Sequence, residues 1–279
     1  MSVLLHISDT HFGTEQPPVV EALIRMASEL RPDLVVFSGD ITQRARRNQF
    51  AAARRFVDRL SAPTLVLPGN HDIPLFNLWA RALHPYRNYT RQFGADLDPT
   101  FDLPDVLVVG VKTTRRYRHI NGEVSAGQIA RVVERIHRAR STQLRIVVTH
   151  QPVHVIGTHD ETNLLRGAAR AVHAWSSAGV DLILGGHIHL PFARPLSERY
   201  ASLPREIWIA QAGTAVSSRV RYEAPNSVNV IRYERATSQA RYVIERWDYR
   251  AGVGNAAGGV FACVASTEAS RALETFHAE

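Results

Sequence analysis

Short apolar runs and helix-spaced apolar positions alternate along most of the chain, regularly enough to be read as a fold. Residues 4–7 are predicted as a first strand, and residues 19–30, apolar at a spacing near 3.6, as a helix. A strand at 34–37, a helix at 48–60 and a strand at 64–67 follow. The order then repeats as strand 106–111, helix 125–140, strand 144–148, helix 164–178 and strand 182–184. Asn121-Gly122 is a turn signal, and Ser125 is placed to cap the helix after it. The strands are short, β-branched and bounded by Gly, Pro or Asp, as strands covered on both faces are. Such alternation predicts an α/β fold.

Two stretches break the pattern. Residues 206–210, 227–233 and 239–247 read as strands with no helices between them, which predicts antiparallel pairing into a second sheet. After Arg250 the composition shifts to Ala and Gly. Residues 251–259 read as a linker, with a short strand around Cys263 and a terminal helix from Thr267. The chain therefore divides into a main domain over 1–250 and an Ala/Gly-rich extension over 251–279. The second stretch, 74–104, opens with Leu75, Phe76, Leu78, Trp79, Leu83, Tyr86, Tyr89 and Phe93. Residues 74–93 read as an amphipathic helix packed on the core, or else 74–104 forms a cap whose aromatics, with Arg81, Arg87 or Arg91, select a substrate.

Composition narrows the class. With 279 residues, 45% hydrophobic and 21% charged, the chain has the make-up of an ordinary globular protein. No apolar run approaches the roughly 18 residues of a membrane span. The first residues pass straight into a strand pattern without a basic leader, and Cys263 is the only cysteine. Both point to the cytoplasm. The formal net charge is +7, and every basic residue except Lys112 is Arg. Arg suits bidentate phosphate binding, but no run of five like charges marks a nucleic-acid arm, so the charge reads as spread over solvated faces. The densest spots are Arg44, Arg46 and Arg47, and Arg115, Arg116 and Arg118; the loop around Arg115 is a candidate for gripping phosphate.

The chemistry is concentrated in five clusters, each following a predicted strand: Asp9-Thr10-His11, Gly39-Asp40, Gly69-Asn70-His71-Asp72, Thr149-His150 and Gly185-Gly186-His187-Ile188-His189. Ligands in α/β sheets gather at the carboxyl ends of strands. Two Asp, one Asn and several His brought together there form a donor set for two divalent ions sharing a bridge. In Asp9-x-His11 and His187-x-His189 two donors stand two residues apart, so both can face one ion or straddle two. Of the other histidines, His154 and His159 are placed to line a pocket beyond His150. His137 and His173 fall in helices, and His6 reads as a histidine at the core's edge. His84, His119 and His277 have no partner that the sequence names.

These five blocks, in this order from Asp9 to His189, resemble the signature of the calcineurin-like metallophosphoesterase superfamily: D-x-H, G-D, G-N-H-D/E, H and G-H-x-H. The G-N-H-D block and modest length are closest to the bacterial class III cyclic nucleotide phosphodiesterases. The resemblance implies a four-layer αββα sandwich of two mixed β-sheets flanked by helices. It implies that Asp9, His11, Asp40 and His189 hold one ion, and that Asp40, Asn70, His150 and His187 hold the other, with Asp40 as the bridge. The ions would be Mn, Fe, Zn or a mixture. By the same resemblance a hydroxide held between the ions attacks phosphorus, while His71 donates a proton to the leaving oxygen. Asp72 would orient His71, or else cap the helix that follows. The expected substrate is a small phosphodiester, a cyclic nucleotide first among them; nucleic acid is less favoured. A pyrophosphatase acting on UDP-diacylglucosamine, a DNA exonuclease and a non-catalytic scaffold are the alternatives. The first usually has Arg where this chain has His71, and scaffolds lose ligands that this chain keeps.

Overall fold

The computed structural model describes residues 1–118, 120–221, 224–234, 239–252 and 258–272. His119, His277 and most of the expected linker lie outside them.

The alternation predicted from sequence is present. In chain order the first half runs β1 (Ser2–Ile7), α1 (Pro17–Leu30), β2 (Leu34–Phe37), α2 (Arg47–Asp58), β3 (Thr64–Val66), α3 (Leu78–Leu83), α4 (Arg87–Phe93) and β4 (Thr100–Asp102). There follow β5 (Val106–Gly110), α5 (Ala126–His137), β6 (Leu144–Val148), α6 (Ala168–Ala178), β7 (Leu182–Gly185), β8 (Phe192–Pro195), β9 (Trp208–Gln211), β10 (Ser227–Glu234), β11 (Gln239–Arg250) and β12 (Val260–Ala272). Ser125 caps α5 as expected, its Oγ accepting from the Gln128 N–H at 3.2 Å.

Two six-stranded sheets form, in the orders β12-β11-β10-β1-β2-β3 and β4-β5-β6-β7-β9-β8. Their facing sides are sealed by Leu4, Leu34, Val36 and Leu65 from one and Val106, Val108, Leu144, Ile146, Val148, Leu182 and Leu184 from the other. The alternate residues point outward. Leu5, Ile7, Val35 and Phe37 meet α1 and α2, whereas Leu107, Val109, Val147 and Ile183 meet α5 and α6. Both faces of every central strand are therefore covered, which is why these strands read as continuous apolar runs. The result is a four-layer αββα sandwich.

The late strands pair differently from what their sequence pattern predicts. They do not build a second sheet of their own. β10 and β11 add antiparallel to the free side of β1, with Leu4 opposite Ile231, and so extend the first sheet. β9 lies parallel to β7, with Ile183 opposite Ile209, inside the second. The helix expected from Thr267 is strand through Ala272. Pairing along β11, with Ile244 opposite Thr267, overrides the helical propensity of the Ala/Ser/Glu/Arg composition. Nor is 74–93 one helix. Pro85 lacks the N–H that a helix needs at that point and separates α3 from α4. α4 is anchored: Tyr89 is buried against Phe50, and its hydroxyl donates to the Val66 carbonyl at 2.7 Å. α3 buries none of its residues.

Candidate metal centre

The loops leaving β1, β2, β3, β6 and β7 all emerge at one end of the sandwich, where the two sheets meet. Left-handed backbone marks the spot. Asp9, His11, Asp40, His187 and His189 all have φ between +42° and +77°, a region where a side chain is disfavoured by about 1–3 kcal/mol per residue. Five such residues converging on one place indicate that the fold tolerates strain there in order to aim side chains. Space is equally tight. A Cβ on Gly69 would collide with the Asp40 backbone and carboxylate, and one on Gly186 with Ser8 and Asp9. Only glycine lets these loops close.

The donors converge in two groups. Asp9, His11, Asp40 and His189 have ligand-type atoms within 4.8 Å of one another, as do Asp40, His150 and His187. Asn70 joins the second group, its Oδ1 lying 3.2 Å from His150 Nε2. Asp40 belongs to both. Its Oδ1 lies 3.2 Å from His150 Nε2 and its Oδ2 3.7 Å from His11 Nε2. The seven expected donors thus meet in a single centre.

Hydrogen bonds fix the ring orientations. His150 Nδ1 donates to the Ser38 carbonyl at 2.9 Å and His189 Nδ1 to the Arg219 carbonyl at 2.6 Å, which turns each Nε2 toward the centre, where its lone pair is free once the ring is neutral. His11 Nε2 and His189 Nε2 then face each other at 3.1 Å. Two buried polar atoms at the centre, Asp9 Oδ1 and His187 Nδ1, have no hydrogen-bond partner among the described residues. Asp9 Oδ1 lies 3.2 Å from His189 Nε2, yet the two are not aligned as donor and acceptor. Lone pairs aimed at shared points rather than at hydrogens are what cations require, so the residues fit a pair of divalent ions.

The ionisation pattern agrees. Burial alone would lower the His150 pKa, but the Asp40 carboxylate beside it outweighs burial and pushes it up to about 9. His189 is also raised, with Asp9 outweighing burial. Burial pushes His11 down to about 4, and burial with His150 pushes His187 down to about 3. Burial opposes ionisation of Asp9 and Asp40, yet neighbouring imidazoles hold both below the usual carboxylate range. A metal-free centre at neutral pH thus carries a proton on His150, which an incoming cation must displace. Loading with Mn is expected to release at least one proton per chain at pH 7, and affinity should rise as pH climbs toward 9. Calorimetry in buffers of differing ionisation enthalpy measures both; proton-neutral binding would contradict the assignment.

His71 and Asp72 part company. The His71 imidazole lies at the mouth of the centre, Nε2 4.0 Å from Asp40 Oδ2, with Nδ1 donating to the Gln43 carbonyl at 3.1 Å. Asp72, expected to orient that ring or cap the helix that follows, does neither; Asn77 caps α3. The Asp72 carboxylate turns back into the protein and accepts the N–H groups of Ile41, Thr42 and Gly69 at 2.8–3.0 Å and the Thr42 hydroxyl at 2.8 Å. Burial and the Asp40 charge raise its pKa to about 7 while those N–H groups pull it back. Asp72 ties the Asp40 loop to the Asn70 loop. Asp72→Ala would leave three buried N–H groups unpaired, at roughly 1 kcal/mol or more each. A loss of about 3 kcal/mol in denaturant unfolding is expected; wild-type stability would contradict the clamp.

Beside the centre lies a cleft of about 610 Å³, lined by Asn70, His71, Ile120, His159, Asp160, Arg219 and Arg221 among others. Arg219 and Arg221 escaped the sequence reading, because the loop before β10 carries no motif. Arg219 Nη1 donates to Gln43 Oε1 at 2.9 Å and points at His71 Nε2 (3.3 Å) and His11 Nδ1 (3.4 Å). Arg221 is braced by the buried Asp160 at 2.7 Å. The candidate phosphate grip around Arg115 goes elsewhere: Arg115 bonds Gln128 at 2.6 Å and Arg118 pairs with Glu123 at 3.1 Å. His159 reaches the cleft, whereas His154 is buried against Phe192. His6 is a core residue bonded to Ser38 Oγ at 2.9 Å.

A family model described as calcineurin-like phosphoesterase matches residues 2–191, which include all seven donors and His71. The chain belongs to the calcineurin-like phosphoesterase family. In an alignment 208 positions long that covers 67% of its length, it is 27% identical to a Mycobacterium tuberculosis protein named as a cAMP/cGMP dual specificity phosphodiesterase. In an alignment 81 positions long that covers 25% of its length, it is 37% identical to the glycerophosphodiester phosphodiesterase GpdQ of Enterobacter lignolyticus. The chain spans 61% and 29% of the lengths of these two relatives. Among solved structures, purple acid phosphatase PPD1 from yellow lupin seeds superposes with a TM-score of 0.67 at 12% identity, covering 88% of this chain and 51% of that one. At that identity the likeness shows a shared fold. Among the described residues no helix is long and apolar enough to cross a membrane.

Proposed function

We propose that the chain is a dinuclear-metal phosphodiesterase acting on a small phosphodiester, with a cyclic nucleotide as the leading candidate. One observation carries the reading: the Asp40 carboxylate is shared by two donor groups while the His71 ring stands at the mouth of the same cleft. Asp9, His11, Asp40 and His189 would hold one ion, and Asp40, Asn70, His150 and His187 the other. When bound, such a pair supplies Lewis-acid polarisation of the phosphoryl oxygens and a nucleophile from water at neutral pH. The mixed oxygen and imidazole donors suit Mn, Fe or Zn.

The chain's own groups do the rest. The Gln43 carbonyl accepts the Nδ1 proton of His71 and fixes the ring, so Nε2 is the atom that faces the cleft; after taking up a proton there, the imidazolium can pass it to a leaving oxygen and return to the neutral ring. Arg219, steadied by Gln43 Oε1, puts a permanent positive charge beside that path and favours an anionic diester. Both relatives described above are named as phosphodiesterases, which supports diester over monoester. A cytoplasmic setting belongs to the same reading, since a lone cysteine suits a reducing compartment.

The test is turnover by Mn-loaded protein of cyclic AMP, a glycerophosphodiester, an aryl phosphodiester, a phosphomonoester and single-stranded DNA. The diesters are expected to be hydrolysed, with loss on chelation and recovery on adding Mn back. Fully loaded protein that turns over no diester would overturn the proposal.

A further inference from the structure

Helix α3 is built inside out. Leu78, Trp79, Ala82 and Leu83 face solvent, with Trp79 80% and Leu83 64% exposed, while Arg81 turns toward the protein. Arg81 donates from Nε to the Arg116 carbonyl and from Nη2 to the Arg118 carbonyl, both at 2.6 Å, and from Nη1 to the Pro74 carbonyl at 3.2 Å. Arg116 Nη1 returns a bond to the Ala82 carbonyl at 2.6 Å. The helix and the 115–118 loop are thus stitched into one surface, to which Phe76 and Tyr117 add further exposed rings. A polar side chain spent on bracing and apolar ones left in water is the reverse of a helix that packs on a core.

The surroundings indicate what covers this face. Residues 73–95 contain three arginines and no Asp or Glu, and residues 112–122 contain three arginines and Lys112, again with no acid. Of these cations only Arg118 pairs with a carboxylate among the described residues. Arg44 stacks over Phe76 at 5.4 Å, bringing another positive charge to the rim. A second copy of the chain would set one basic face against another, which repels. Trp, Leu and Phe ringed by Arg fit an anionic lipid surface, where the rings enter the headgroup layer and the guanidiniums meet phosphates. We propose that α3 and the 115–118 loop dock the chain on an anionic bilayer. Ile120, two residues past Arg118, lines the catalytic cleft, so docking brings the cleft's rim to the membrane.

Flotation of the full chain with vesicles of phosphatidylcholine, with and without phosphatidylglycerol, tests this. Wild type is expected to float only with the anionic vesicles, and less as salt is raised. The double variant Trp79→Ser/Leu83→Ser should lose roughly tenfold in binding, with its thermal midpoint and its turnover of a soluble aryl diester unchanged. Equal flotation of variant and wild type, or none by wild type, would overturn the proposal. So would a concentration-dependent dimer in ultracentrifugation that the double variant abolishes, since a second copy would then occupy the face. Vesicle binding is read without turnover, so it stands or falls apart from the phosphodiesterase reading.

Discussion

Asp40→Asn is expected to lower kcat/KM by on the order of 10³-fold or more, about 4 kcal/mol of transition-state stabilisation. It should also reduce bound metal from two ions per chain to one or fewer. Asp40 is the carboxylate common to both donor groups, and two neighbouring cations repel unless an anion lies between them. Asn keeps the shape and an oxygen to accept the His71 backbone N–H, now bonded to Asp40 Oδ1 at 2.9 Å. The metal-free variant should therefore fold, and its circular dichroism should match wild type. Mass spectrometry of the metal content separates this from simple unfolding. A variant that folds, keeps two ions and retains turnover would contradict the bridging role.

His71→Ala should divide substrates by leaving group. Where an alkoxide departs, as from a cyclic nucleotide, a drop of about 10²–10⁴-fold in kcat is expected, the usual contribution of a placed general acid. Where 4-nitrophenolate departs, no proton is needed and the loss should stay within about tenfold. Metal content should not change, because the imidazole faces the cleft mouth and its backbone N–H, which survives the substitution, makes the contact to Asp40. A uniform loss across both substrate types would assign His71 to binding rather than to proton transfer.

The α/β alternation was legible because burial on both faces writes an unmistakable pattern: Val3-Leu4-Leu5-His6-Ile7 and Leu34-Val35-Val36-Phe37 have no solvent side; the two-sheet sandwich came from the family resemblance. What period-two strands do not reveal is which edge they join. The pattern of residues 227–233 is that of a strand, but their place beside β1 depends on a pairing with residues more than two hundred positions earlier. Thr267 to Ala272 misled through local propensity, which a long hairpin overrode.

The centre was legible for a related reason. Each of its donors stands just after a buried strand, and strands in register deliver their carboxyl ends to one place. Its surroundings were less so. Asp72 adjoins His71 in sequence, yet its carboxylate serves two N–H groups on the Asp40 loop and one at the start of its own, a role that adjacency disguises. Arg219 reaches His71 from a loop that differs from any other polar loop only by where β10 begins. Arg115, in a denser basic cluster, drew attention that its bond to Gln128 does not support.

Anomalous diffraction from Mn-loaded crystals tests the central claim most directly. Two peaks about 3.5–4 Å apart are expected, one amid Asp9, His11, Asp40 and His189, the other amid Asp40, Asn70, His150 and His187. A single peak, or a pair elsewhere in the molecule, would contradict a shared dinuclear centre.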